Sequence, residues 1–254
     1  MTRLSRRAAR ACAASVVVLA ALAAGVAMST PVVAAVKCRA APAPRVNLHN
    51  CTLVGADFAG ADLAGARLMH TDLSGATLSG ANLSGANLTG ANLTRAKLGT
   101  ANMSGAQLKN VQAGNATLTD ANLDRAHLAG TNLQSADLTG AELVKANLDG
   151  ARLAGAKLVD TRFVDADVKG ANLAGASLND SHLEGARLAR ADLAGANLTG
   201  ASLFQAKLSE ANLSGANLSD AILVHAILSG ADLARATWTG ASCPSGSLAS
   251  SSGC

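Results

Sequence analysis

Leucine returns at every fifth residue along most of the chain, and the pattern is clearest from Ala81 to Leu93, where Ala-Asn-Leu recurs three times. Five residues of α-helix advance about 500°, so successive leucines would lie about 140° apart and could not form an apolar stripe. In a flat strand an odd period would place successive leucines on opposite faces. The pattern therefore predicts a chain that turns a corner in each repeat, with every leucine on one central axis and successive coils stacked in parallel.

The five-residue register runs without an insertion from Leu53 to Trp238, and this span of 186 residues contains 38 centres. The residue two before each centre is nearly always Ala, the residue just before it is mostly polar, and Gly closes many repeats where the backbone bends. At one centre Ala113 replaces leucine, which predicts a thin core or a kink. The residues that define the predicted core ladder are Leu53, Phe58, Leu63, Leu83, Leu88, Leu93, Leu193, Leu198, Leu213, Leu218 and Trp238.

The repeated Ala-Asn-Leu and Ala-Asp-Leu units resemble the pentapeptide-repeat family, whose pattern is A-[DN]-L-x-x, over roughly residues 47–242. The resemblance implies an all-β fold, a right-handed quadrilateral parallel β-helix with four pentapeptides per coil. The 38 repeats then make about nine to ten coils, and the rod is about 45 Å long.

The first 35 residues have the organisation of a secretory signal peptide. A basic opening from Met1 to Arg10 precedes an apolar run from Ala11 to Met28 and a small-residue site, so we expect export with cleavage after Ala35. The arginine pair at 6–7 suggests twin-arginine export, Sec is the alternative, and an uncleaved anchor is a third reading. The prediction divides the chain into a signal peptide (1–35), an N-terminal cap (36–52), a β-helix (53–242) and a C-terminal cap loop (243–254).

Removal of this leader changes the charge of the protein. The leader holds four arginines and no acidic residue, so 17 basic and 17 acidic side chains remain of the original 21 and 17. The mature chain is formally neutral, and its composition gives no support for nucleic-acid binding.

Four cysteines remain after cleavage and flank the repeats in two pairs. A disulfide needs Cα atoms within about 7 Å, and the ends of the rod are much farther apart. Only Cys38–Cys51 and Cys243–Cys254 can therefore form within one chain, and each would hold a cap over an exposed sheet edge. Free or intermolecular thiols are the alternative.

Catalytic and metal-binding motifs are missing from the sequence. The five histidines are isolated in the repeat register, and no paired-Cys motif, phosphate loop or nucleophile elbow is present. We therefore predict a protein that is not an enzyme and has no metal, cofactor or small-molecule ligand.

Residues twenty apart align on one side of a four-sided coil, and the charges separate between opposite sides. One side carries six cations and three acids, net +3, and the opposite side carries six acids and two lysines, net −4. The cations of the basic side are Arg67, Lys109, Lys169, Arg187, Arg190 and Lys207. Side-by-side electrostatic contact is a hypothesis that this split suggests.

Apolar residues collect on the surface near the C-terminal end. Phe204 and Val224 are twenty apart and should stack, while Ile222 and Ile227 occupy positions where Asn or Asp is usual. Such a patch indicates a homodimer or another protein contact. Cover by the chain's own tail, through Leu248, is the alternative.

These features favour a non-enzymatic scaffold in the cell envelope or outside the cell that binds an unidentified protein partner. The family resemblance implies an alternative, because some members mimic DNA, inhibit or protect DNA gyrase and confer quinolone resistance. Those members are cytoplasmic and strongly acidic, whereas this chain has an export signal and no net negative charge.

Overall fold

The computed structural model describes residues 38–246; the predicted signal peptide and residues 247–254 of the predicted C-terminal cap lie outside the described residues. Within 38–246 the chain forms no α-helix and no strand longer than one bridged residue. Every fifth residue makes a parallel bridge, from Asn47 with Arg67 to Ile222 with Ser242. None of the described residues belongs to a helix that could cross a membrane.

The bridges join residues twenty apart, so each coil contains four pentapeptides, as expected. Both backbone groups beside a centre take part in the ladder. The Leu83 N–H donates to the Asn102 carbonyl at 2.7 Å, and the Asn102 N–H donates to the Ala81 carbonyl at 2.9 Å. Each coil is therefore hydrogen-bonded to the next along all four sides.

A tight turn follows every centre and makes the corner of the coil. The Leu83 carbonyl accepts from the Ala86 N–H at 2.9 Å, and Gly85, the third residue of that turn, has φ of 61°. A positive φ confined to the third position is the pattern of a type II turn. It recurs at every fifth residue from Arg45 to Gly240, which explains why the coil keeps four corners throughout.

The core is a continuous column of the centres and the small residues beside them. All eleven predicted ladder residues are buried, and Trp238 is the most exposed of them at 8%. The regular coil begins one repeat before the predicted boundary at residue 53, since Asn47 already bridges to Arg67 and Leu48 is buried. The repeat was hard to see there because Val46 stands in the small-residue position. From Leu48 to Cys243 there are forty centres, or ten coils of about 48 Å in total.

The ladder is not interrupted at Ala113. Its N–H donates to the Asn132 carbonyl at 2.7 Å, and the Leu93 N–H donates to the Gln112 carbonyl at 2.6 Å. Ala113 is 2% exposed. The thin core is therefore accommodated within a regular coil, and the alternative expectation of a kink is wrong.

The N-terminal end carries the Cys38–Cys51 disulfide, with Cα atoms 5.4 Å apart. Cys51 occupies the small-residue position two before Leu53 and is buried, while Cys38 and Ala40 pack against the core. Cys243 also takes part in a disulfide, but its partner lies outside the described residues, so the pairing with Cys254 stays a prediction.

Candidate interaction surfaces

The polar residue before each centre has a structural role in addition to facing solvent. The Asn82 Oδ1 accepts a hydrogen bond from the Ser84 N–H at 3.2 Å, and the same bond recurs around the coils wherever Asn or Asp holds this position in a regular turn. Some of these side chains also bond across coils, as the Asn92 amide does to the Asp72 carboxylate at 3.0 Å. We predicted only a solvated position, because the bond depends on turn geometry. The preference for Asn and Asp over longer polar residues was the available signal.

Two isoleucines depart from this rule near the C-terminal end. Ile222 is 43% exposed and Ile227 is 47% exposed, and neither can accept the turn hydrogen bond. Phe204 and Val224 lie beside them half-buried, and the Phe204 ring meets the His225 ring edge-on at 5.7 Å. We call Phe204, Ile222, Val224 and Ile227 the C-terminal apolar patch.

The core leucines beside this patch are less deeply buried than those of the earlier coils. Leu228 and Leu233 are only half-buried, whereas the centres from Leu48 to Leu223 are all buried. The patch therefore lies beside core leucines that are themselves partly exposed.

A charged group lies in the outward column that Val164, Phe204 and Val224 form at intervals of forty and twenty residues. Glu184 stands between Val164 and Phe204, and its Oε1 lies 3.4 Å from the His182 Nδ1. Burial raises the pKa of Glu184, but hydrogen bonds from Ser202, its own backbone N–H and His182 outweigh this effect and leave the pKa below its usual value. Among the described residues its Oε2 is buried without a hydrogen-bond partner.

His182 is not isolated, so the prediction of isolated histidines is wrong for this residue. Its Nε2 lies 3.8 Å from Asp160 and its Nδ1 lies near Glu184. The coil brings Asp160 to the neighbouring corner although it is 22 residues earlier in the sequence. In the described part of the chain no three His, Cys, Asp or Glu side chains are grouped so that they could hold a metal ion.

The basic face, as predicted from the register, comprises six exposed cations on one side of the rod, and part of its charge is compensated there. Lys169 lies 3.0 Å and Arg187 3.8 Å from Asp167, and Arg190 lies 2.8 Å from Glu210. Within residues 38–246 the other three cations of this face make no ion pair within 4 Å. They are Arg67, Lys109 and Lys207.

The opposite side is acidic and we call it the acidic face. Four aspartates share one corner of it, each in the left-handed conformation with φ between 54° and 58°. They are Asp120, Asp160, Asp180 and Asp220. Partial burial raises the pKa of Asp137 on this face, but hydrogen bonds from Thr139 and the nearby Lys157 lower it below the usual value.

These features define the class of the protein as a four-sided parallel β-solenoid. Its four outer faces are the surfaces on which it can contact other molecules. A model of pentapeptide repeats matches the chain in eight copies between residues 45 and 240, so the chain belongs to the pentapeptide-repeat family. The predicted family and its right-handed quadrilateral β-helix are thereby confirmed.

Three solved structures show the range of similar proteins. HetL, a pentapeptide-repeat protein involved in heterocyst differentiation regulation in the cyanobacterium Nostoc, is 36% identical, with a TM-score of 0.41; the match covers 81% of this chain and 90% of HetL. QnrB1, a plasmid-mediated fluoroquinolone resistance protein, is 18% identical, with a TM-score of 0.47 and coverage of 77% and 89%. A pentapeptide-repeat protein of the Arabidopsis thaliana thylakoid lumen is 29% identical, with a TM-score of 0.30 and coverage of 37% and 63%. A comparison with curated protein sequences returned no significant match.

Proposed function

We propose that this protein is an exported, non-enzymatic scaffold that forms a homodimer through the C-terminal apolar patch and presents its long faces to other proteins. The observation that carries the proposal is the exposure of Ile222 and Ile227, 43% and 47%, at positions where the repeat otherwise places a polar residue. Exposed apolar area of this kind favours a protein contact.

The position of the patch favours a second copy of the chain as the occupant. The patch adjoins Leu228 and Leu233, core leucines that are only half-buried, so one contact would cover these leucines together with the patch. A two-fold contact uses the same patch on both subunits and closes without leaving a second copy of it exposed. The resulting dimer would be a rod of about twice the length.

Two further features support an exported scaffold. The leader has basic, apolar and small-residue regions in the order of a signal peptide, and the Cys38–Cys51 disulfide is of the kind that oxidising compartments maintain. Many outward polar side chains are already used in turn and ladder hydrogen bonds.

DNA mimicry is the alternative function. The presence of both charge signs along the rod argues against it, because a DNA mimic needs continuous negative charge.

The test replaces both isoleucines by asparagine, Ile222→Asn with Ile227→Asn. Asparagine is the usual repeat residue at this position, so the coil should be retained while the apolar contact is lost. Light scattering should show a dimer for the wild-type protein and a monomer for the double variant at the same concentration.

Val54→Asn is the matched control, because Val54 is also an exposed apolar residue, 59% exposed, but lies at the other end of the rod. This variant should remain dimeric. A wild-type protein that is monomeric at every concentration, or a double variant that still dimerises, would contradict the proposal.

A further inference from the structure

A surface cavity of about 460 Å³ lies on one corner of the rod, and clefts that hold ligands have volumes of this size. Three successive coils line it, and we call it the corner cavity. Gly105 leaves one wall open, because a methyl group added there would meet no atom within 4 Å. The polar side chains of the lining are those of Ser104, Asn122, Asp124, Arg125 and Lys145.

Two of these side chains are cations stacked one above the other. Arg125 and Lys145 are twenty residues apart, so they occupy the same corner in adjacent coils, about 4.8 Å apart along the axis. Both are exposed, and within residues 38–246 neither makes an ion pair within 4 Å. Like charges at opposed positions of neighbouring strands repel each other. Arg187 and Lys207 form a similar stack, but there Arg187 lies 3.8 Å from Asp167.

The carboxylate of the lining, Asp124, is held by the backbone of the next coil. Its Oδ1 accepts a hydrogen bond from the Val144 N–H at 2.9 Å. In a regular turn that N–H is bound by the Asn or Asp two residues before it, but Glu142 stands there and pairs with Arg162 at 3.1 Å. Asp124 is thus fixed to the cavity wall, and the three charged groups of the lining have a net charge of +1.

A second acid limits the cation stack at its upper end. Asp165 follows Lys145 at the same corner in the next coil, and the two make no ion pair within 4 Å in the described part of the chain. The Asp165 Oδ1 points instead to Gly185, where it would lie 2.7 Å from an added methyl carbon. An acidic ligand therefore reaches the two cations most easily from the side of Gly105.

From this arrangement we propose that the corner cavity docks an acidic segment of a partner protein, with one carboxylate between Arg125 and Lys145. A guanidinium binds a carboxylate through two parallel hydrogen bonds, and the ammonium adds a second positive charge. The bound carboxylate also relieves the repulsion within the cation stack. The Ser104 hydroxyl and the Asn122 amide nitrogen lie in the same lining and can bind the backbone of the segment.

The size of the cavity favours a peptide segment over a small free anion. A water molecule occupies about 30 Å³ in the liquid, so about 460 Å³ is far more than one inorganic anion needs. The inference deepens the proposed function and rests on it, because it gives the chemistry of a partner for the long faces of the scaffold.

The corner cavity can be tested separately from the dimer contact. Lys145 lies three coils, about 14 Å along the axis, from Gln205, the neighbour of Phe204 in the C-terminal apolar patch. Binding is therefore measured in the purified full-chain Ile222→Asn/Ile227→Asn variant, in which the dimer contact is removed. Failure of either contact leaves the other measurable.

The experiment is a nuclear magnetic resonance titration of that protein with the peptide acetyl-Asp-Ser-Asp-Ser-amide at fixed ionic strength. We expect saturable shifts of the backbone amide signals of Ser104, Arg125, Val144 and Lys145. Adding Arg125→Gln with Lys145→Gln should weaken binding about 2- to 30-fold, as expected for two exposed ion pairs. The fold should be retained, because Gln205 already occupies the same corner with φ of 58°.

Arg95→Gln with Arg235→Gln is the matched control, since it removes the same charge from equivalent turn positions at the diagonally opposite corner. This variant should bind the peptide as its parent does, and acetyl-Asn-Ser-Asn-Ser-amide should not bind the parent. The proposal would be overturned by an acidic peptide that shifts no signal at the corner cavity, or by equal affinity in the Arg125→Gln/Lys145→Gln variant. Inorganic phosphate that binds as tightly as the acidic peptide would also overturn it, because the cavity would then be a site for free anions.

Discussion

Each corner of this solenoid depends on one residue in the left-handed conformation, and only half of these residues are glycine. The third turn position has a positive φ in all four sides of the coil, yet residues as different as Asp120 and Thr100 occupy it. A β-branched residue such as Thr100, with φ of 55°, is strained in this conformation. The stack of hydrogen-bonded coils must therefore hold such corners against their local preference.

The buried hydroxyls provide a second example at this scale. Thr131 stands where Ala is usual and is 1% exposed, and its hydroxyl donates to the Leu108 carbonyl at 2.6 Å. Thr71 and Thr161 make the equivalent bonds at 2.9 Å to the preceding coil. The exceptions to the small-residue rule are tolerated because their polar atoms are satisfied.

Gly85→Ala tests the corner conformation directly. No atom lies within 4 Å of the added methyl group, so the cost is conformational, about 1 to 2 kcal/mol for an L-residue at φ of 61°. The denaturant midpoint should fall, while Ser84→Ala in the same turn should change it little. Equal stability of Gly85→Ala and the wild type would contradict the turn type.

Elements in this protein are whole coils, and they differ in how completely they fill the core. The coil with Ala113 keeps its ladder although the leucines of the same column, Leu93 and Leu133, are larger. The hydrogen bonds fix the coil diameter, so the neighbours cannot collapse fully onto the smaller side chain.

We therefore expect Ala113→Leu to stabilise the protein by about 2 kcal/mol, the lower end of the usual cost of the reverse change. Ala81→Leu is the control, because Ala81 lies at the small-residue position, where a leucine would overpack the core. Thermal unfolding should move in opposite directions for the two variants. A lower melting temperature for Ala113→Leu would show that the coil has already closed over the site.

Two carboxylates, Glu184 and Asp137, should make the stability of the protein depend on pH. The pKa values of Glu184 and Asp137 are lowered in the folded state. Both carboxylates therefore stabilise the fold at pH values above their unfolded pKa values of about 4.5 and 3.8. That contribution is lost as the pH falls through the lowered folded values. Glu184→Gln should therefore reduce the loss of stability below pH 4.5, measured by denaturant titration, and an unchanged pH profile would contradict this role.

At the scale of the molecule, the architecture was predictable because a period of five leaves a corner-turning coil as the solution and one register spans nearly all the repeats. The first repeat, centred on Leu48, lies outside the predicted boundary because Val46 replaces the usual Ala. The turn bonds of Asn82 and its equivalents, and the contacts of His182 with Asp160, were not predictable from residue type, because they depend on corner geometry and on which residues one coil brings together. The surface patches follow from the register alone, but the compensation of Arg187 by Asp167 does not.

Export of the scaffold and covalent closure of both its ends can be tested together in one experiment. The most direct measurement is to express the full-length chain in a bacterial host and determine the location, intact mass and free-thiol count of the product. We expect a protein outside the cytoplasm that begins near Val36 and has no free thiol. A cytoplasmic product with its first 35 residues intact and its cysteines reduced would contradict it.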